Sequence, residues 1–185
     1  MRPKNSNTYR FTTTSSENEL EQILTLQQAN LPTSISTIEK KEEGFVTVQH
    51  TIDILKKMHD RQPHIIAKDQ NNVIGYALCM QKEFKDDIEI LKPMFSKIDQ
   101  HVSQPFSYIV MGQICIHKKY RKQGIFRGLY QTMKKELHTS YELLITEVAA
   151  NNSRSLQAHY AIGFETLITY TSDKTEWIIL QWNLK

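Results

Sequence analysis

The 185-residue chain has only two cysteines, too few for a disulfide framework. Both, Cys79 and Cys115, fall inside apolar, strand-like runs, which predicts buried and reduced thiols. No metal-ligand spacing joins them to the seven histidines, so no metal is expected. No apolar run approaches the ~20 residues of a membrane-spanning helix. Residues 1–16 are polar and rich in Ser and Thr, without the apolar core of an export signal. A cytoplasmic protein with no membrane partner is the resulting expectation. Neither an internal repeat nor a low-complexity linker interrupts the chain, and its length fits a single domain over residues 1–185.

Acidic residues are missing from one long stretch. None occurs from Gln100 through Lys135, while Lys118, Lys119, Arg121, Lys122, Arg127, Lys134 and Lys135 fall inside it. A net charge of +3 is too small to argue for nucleic acid, and interleaved exposed aromatics are absent, so no nucleic-acid partner is expected. A solvated helix face is one account of such a charge run. A local positive field that draws in a polyanionic ligand is the other.

A glycine inside the cluster favours the second. The segment Tyr120-Arg121-Lys122-Gln123-Gly124-Ile125-Phe126-Arg127-Gly128 lies between a β-type run ending at Ile116 and a helical run starting at Ile125. A strand turning sharply into a helix aims free backbone N–H groups, and the positive end of the helix, at one point. That geometry suits phosphate. The pattern Gly-x-x-x-x-Gly-Lys-Ser/Thr of nucleotide triphosphatases is absent. The Gly124/Gly128 spacing carries no message of its own in a soluble chain.

Downstream, Asn152, Ser155 and His159 stand at i, i+3 and i+7, on one face of a helix that closes with Gly163-Phe164. Leu156 and Tyr160 form a neighbouring stripe suited to packing. Asn152 is also a natural N-cap.

Together the two segments resemble the GNAT family of N-acetyltransferases. The family's first motif, Arg/Gln-x-x-Gly-x-Gly/Ala, is represented by Arg121-x-x-Gly124-x-Phe126, with Phe126 as the departure. The second, an Asn opening a helix and a closing Gly-Phe, is represented by Asn152, Ser155, Gly163 and Phe164. The resemblance implies an α/β fold: a twisted, mixed, mostly antiparallel sheet of six to seven strands, flanked by helices, whose central parallel strands splay to admit acetyl-CoA. It implies that the amides of Lys122, Gln123, Gly124, Ile125, Phe126 and Arg127 hold the diphosphate, with Arg121 shaping the loop or adding charge. Ile114, Cys115 and Ile116 would pair with the pantetheine, and Asn152 and Ser155 would line its path. The acceptor would be a primary amine of a small molecule or peptide, attacked directly in a ternary complex, in a monomer or homodimer.

The catalytic residues are less defined. Many family members carry a Tyr four residues before the Gly of Gly-Phe, where it protonates the departing thiolate. His159 matches that position by register and Tyr160 by chemical type, and adjacent helical residues point about 100° apart. Glu147, near a strand end, and His117, beside the basic turn, are the candidate bases. Cys115 sits in an apolar alternation, which argues against a covalent acyl-enzyme. A non-catalytic acyl-CoA sensor is the alternative reading. The acceptor pocket is expected around residues 30–60 and 81–106, where Phe45, Met94, Phe95 and Phe106 line a wall or belong to the core.

Periodicity predicts strands over 9–13, 64–68, 73–80, 107–116, 143–148, 164–170 and 175–183. Helices are predicted to start at the Ser16-Glu19 capping box and over 49–60, 125–138 and 152–162. A further helix built on Ile88, Leu91, Phe95 and Ile98 has its start made uncertain by Pro93.

Overall fold

A computed structural model describes residues 9–38, 45–102 and 106–185. Parts of three segments discussed above, residues 1–8, 39–44 and 103–105, lie outside the described residues. Seven strands form one sheet in the order β1-β2-β3-β4-β5-β7-β6. They are β1 (Arg10–Thr13), β2 (Ile65–Asp69), β3 (Asn72–Met80), β4 (Tyr108–Ile116), β5 (Leu143–Ala149), β6 (Glu165–Ser172) and β7 (Thr175–Asn183). Only β4 and β5 run parallel; every other pair is antiparallel. The helices include α1 (Glu17–Gln28), α2 (Ile52–Arg61), α3 (Lys92–His101), α4 (Ile125–Leu137) and α5 (Ser153–Tyr160).

The period-2 pattern of the strands divides their side chains between two cores. On one face Ile66, Tyr76, Leu78 and Met80 pack against Leu20 and Ile23 of α1, Leu55 and Met58 of α2, and Phe95 and Ile98 of α3. On the other, Ile65, Ala67, Ile109 and Leu180 meet Leu129, Tyr130, Met133 and Leu137 of α4, with Leu156 of α5. The β3 alternation slips between Ile74 and Tyr76, where the register against Ala67 and Lys68 shifts by a bulge.

Local chemistry sets the helix boundaries. The Ser16 hydroxyl accepts from Glu19 N at 3.3 Å, while the Glu19 carboxylate accepts from Ser15 N at 2.7 Å. Thr51 caps α2, which therefore begins at Ile52 rather than at 49. Pro93 falls in the first turn of α3, where its missing N–H costs nothing. That helix accordingly starts at Lys92, Leu91 belongs to the tight turn before it, and Ile88 precedes that turn in extended backbone.

Gly128 has a role that its spacing does not announce. A Cβ there would lie 2.2 Å from the Phe11 ring, so the glycine lets β1 approach α4. Gly128→Ala is expected to destabilise the fold by about 1–3 kcal/mol through overpacking, seen as a melting temperature lower by roughly 2–12 °C.

Among the described residues, no helix is long and apolar enough to cross a membrane. No group of three His, Cys, Asp or Glu among them stands close enough to hold a metal ion.

Candidate active site

A bulge prises the centre of the sheet apart. Ala77 pairs with Ile114 and Cys79 with Met111, so three steps along β4 oppose two along β3. The extra residue in the Gly112-Gln113 region bends β4 away from its parallel neighbour. The β4–β5 ladder accordingly stops after Tyr108↔Leu143, Ile109↔Leu144 and Val110↔Ile145. Beyond it β4 continues to Ile116 and β5 to Ala149 with a gap between them. At the fork Thr146 Oγ1 donates to the Met111 carbonyl at 3.0 Å.

A groove of about 320 Å³ opens from the fork on the α4/α5 side. Ile114, Cys115 and Ile116 supply its floor, with Arg121, Lys122, Gly124, Ile125, Phe126 and Arg127 at one end and Asn152 and Ser155 along one wall. Of the residues assigned to the cofactor from sequence, Gln123 alone does not line it. Its side chain is engaged elsewhere, accepting from the Tyr9 hydroxyl and donating to the Lys119 carbonyl. Asn30, Val46, Arg154, Ala158, Ala161 and Ile162 also line the groove without having been singled out. Ala158 and Ile162 follow Ser155 at i+3 and i+7, so that face was readable; Asn30, at the end of α1, carried no signal.

The turn into α4 is built for an anion. Lys122 and Gly124 both adopt left-handed backbone, at φ 60° and 81°. The first intrahelical bond runs from Gly128 N to Gly124 O at 3.0 Å, leaving the amides of Ile125, Phe126 and Arg127 without helical acceptors. A Cβ at Gly124 would meet nothing within 4 Å, so glycine is required there by its φ rather than by crowding. Arg121 braces the turn, its guanidinium donating to the Ile116 carbonyl at 3.3 Å and to Asn30 Oδ1 at 2.6 Å. Phe126 turns its ring onto Tyr130 and His159, with centroids 5.1 and 5.2 Å away. The bulky departure from the motif therefore leaves the amide side of the turn open. Arg121, Lys122, Arg127 and Arg154 line the groove, and no carboxylate does among the described residues. Its field suits a polyanion.

The wall helix α5 is fixed at both ends. Asn152 Oδ1 accepts from Ser155 N at 3.3 Å, so the side chain caps the helix while lining the groove. At the other end Phe164 N donates to the His159 carbonyl at 3.2 Å, around Gly163 at φ 115°.

Neither candidate acid lines the groove, although His159 borders the narrow space at the fork. His159 is 1% exposed. Its Nδ1 lies 2.7 Å from the Ser155 carbonyl, which can only accept, so the ring proton sits there. Nε2 then accepts from the Tyr130 hydroxyl at 2.6 Å. Burial holds the imidazole pKa down to about 4, so the ring is neutral at physiological pH. Tyr160 faces away from the groove, sharing a 2.9 Å hydrogen bond with Thr166. His117 lies beyond the fork, its Nδ1 accepting from Lys119 N at 3.3 Å. Burial pushes the Cys115 thiol up to about 12, which leaves it protonated.

Glu147 is placed differently. It sits on β5 beside the gap and accepts from the Tyr170 hydroxyl at 2.5 Å. Burial raises its carboxyl to about 7, against the lowering effect of that hydrogen bond. A narrow space of about 70 Å³ threads the fork past Glu147. Ile114, Asn152 and Ser155 line both this passage and the groove. Met111, Gly112, Glu147 and Trp177 line both the passage and a second pocket, of about 290 Å³, on the α3 face. The gap between β4 and β5 thus links two cavities across the sheet, with Glu147 as the one carboxyl among the described residues lining the junction.

The sequence profile of the Acetyltransferase (GNAT) family matches residues 21–164. The chain belongs to this family. A comparison with curated protein sequences returns no significant match. Among solved structures, the GNAT chain is similar to the ribosomal-protein-S18-alanine N-acetyltransferase of Escherichia coli, with a TM-score of 0.64 at 12% identity over 96% of this chain and 94% of that one. It is similar to a chain of the NatC complex bound to Gag peptide and CoA, at TM-score 0.68 and 15% identity, covering 96% and 99%. The putative acetyltransferase yncA from Salmonella typhimurium, solved with acetyl-CoA, gives 0.63 at 12%, covering 97% and 95%. At these identities the likeness is one of fold: a seven-stranded mixed sheet flanked by helices.

Proposed function

We propose that the protein transfers an acetyl group from acetyl-CoA to a primary amine, by direct attack in a ternary complex. One observation carries this reading. An amide-lined, cation-rich groove and a second pocket meet at a gap in the sheet, and Glu147 stands at their junction. Neighbours solved with CoA and with acetyl-CoA support the choice of donor.

The diphosphate rests on the amides of the Gly124 turn, with Arg121, Lys122 and Arg127 supplying charge. The pantetheine runs between Ile114–Ile116 and the wall formed by Asn152 and Ser155. It brings the thioester carbonyl to the fork, where unpaired β4 backbone polarises it. The amine arrives as an ammonium and gives one proton to Glu147, directly or through water. Its nitrogen bonds to the carbonyl carbon, the carbon–sulfur bond breaks, and the nitrogen gives its second proton to water. The CoA thiolate takes a proton from water, since a thiol pKa near 8.5 makes it a competent leaving group without a dedicated acid.

The competing reading is a non-catalytic acyl-CoA sensor, favoured by the neutral, buried His159 and the averted Tyr160. Calorimetric titration with acetyl-CoA, followed by a thiol-release assay with a panel of primary amines, separates the two. Saturable binding and amine-dependent thiol release are expected. Binding with no release on any amine favours the sensor, and absence of binding contradicts both.

A further inference from the structure

Resting on the transferase reading, we infer that the acceptor is a primary amine on a compact apolar body, with no carboxylate beside the amine. The pocket on the α3 face is chemically graded. At the fork end stand Glu147, with Tyr170 as its hydrogen-bond partner, and Trp177. A carboxylate suits an ammonium there, and the face of an indole attracts a cation. Much of the remaining lining is apolar, including Met80, Leu91, Pro93, Met94 and Val110. Ile90 lines the same pocket and is 60% exposed, a large apolar side chain left for a ligand to cover. Asp173, in the β6–β7 hairpin, adds a second negative charge to the lining.

Charge and size then narrow the acceptor. Among the described residues, no Lys, Arg or His lines this pocket. A free amino acid would bring its α-carboxylate against Glu147 without a counter-ion, in a space that removes much of its water. At about 290 Å³ the pocket is at the small end of ligand sites, room for roughly one side chain rather than an extended polymer. The same chemistry comes from two sources: a free arylalkyl or alkyl amine, and the first residue of a peptide, whose next group is an uncharged amide.

The test measures thiol release for phenethylamine and for a peptide beginning with leucine, against leucine, with acetyl-CoA binding followed separately by calorimetry. At least one of the first two is expected to exceed leucine by ten-fold or more in kcat/KM, and the better of them identifies the source. Ile90→Lys, at an exposed position, is expected to raise KM for the preferred amine ten-fold or more while leaving the acetyl-CoA Kd unchanged. A preference for leucine, acetylation of other amines with no turnover of either apolar amine, or an unaltered KM in Ile90→Lys overturns the inference alone, whereas donor binding with no turnover of any amine overturns the transferase reading with it. Failure to bind acetyl-CoA overturns the transferase reading with it.

Discussion

Glu147→Gln is expected to lower kcat for amine acetylation by a factor of about 10²–10⁴, with acetyl-CoA affinity unchanged. The glutamine keeps the size and a hydrogen-bond acceptor for Tyr170, but it cannot take a proton from an ammonium. Among the described residues there, none replaces it: His159 is neutral with both ring nitrogens engaged, and the Cys115 thiol stays protonated. With the Glu147 pKa at about 7, kcat of the natural protein is expected to rise about tenfold between roughly pH 6 and pH 8. The variant is expected to lose that limb. A profile that keeps it in Glu147→Gln would assign the proton transfer elsewhere.

The same substitution has a stability signature of opposite sign. Glu147 has a folded-state pKa of about 7, above the ordinary 4.5, so burial disfavours its charged form. Its contribution to stability is fully present below about pH 4.5 and is lost as pH rises through about 7, a change on the order of 3 kcal/mol. Glutamine never ionises. Glu147→Gln is therefore expected to melt higher than the natural protein at about pH 8, with the difference shrinking toward about pH 5. Gained stability with lost turnover is the mark of a strained functional group. Loss of both would make Glu147 a structural residue.

Ala158→Trp is expected to raise the acetyl-CoA Kd at least about 100-fold, roughly 2.7 kcal/mol, with kcat/KM falling in parallel. Ala158 lies on the groove wall of α5, while the adjoining positions Leu156 and His159 face the core. An indole there fills the path assigned to the pantetheine without entering either hydrophobic cluster. The far-ultraviolet circular dichroism and the melting temperature should stay close to those of the natural protein. A folded Ala158→Trp that binds donor normally would remove the groove from the account.

How much of this was readable in advance depends on whether a feature is local. The turn around Gly124, the Asn152 cap and the Gly163-Phe164 ending are written in neighbouring residues, and the groove forms where those three signals meet. The strands were readable from apolar runs bounded by turn residues, although alternation slips in β3, which is buried along nearly its whole length. His159 shows the limit of periodicity. Helical register gives its direction around α5, on the stripe with Asn152 and Ser155, but not its depth. Because α5 packs onto Tyr130, the His159 ring sinks into the core while Ser155 and Ala158 line the groove. Gly128 is similar, since only the approach of Phe11, more than a hundred residues earlier, explains it. The fork itself was out of reach. It arises from register across β3, β4 and β5, and the pocket behind it draws on α3, β4 and the β6–β7 hairpin, which nothing in the sequence marks as neighbours.

A crystal structure of the protein with acetyl-CoA is the most direct measurement of the central claim, that one ligand spans the sheet from the Gly124 turn to the fork. The expected density puts the diphosphate on the amides of residues 124–127, and the thioester carbonyl between Ile114 and Glu147. A diphosphate bound away from that turn, or an acyl group that stops short of the gap between β4 and β5, would contradict it.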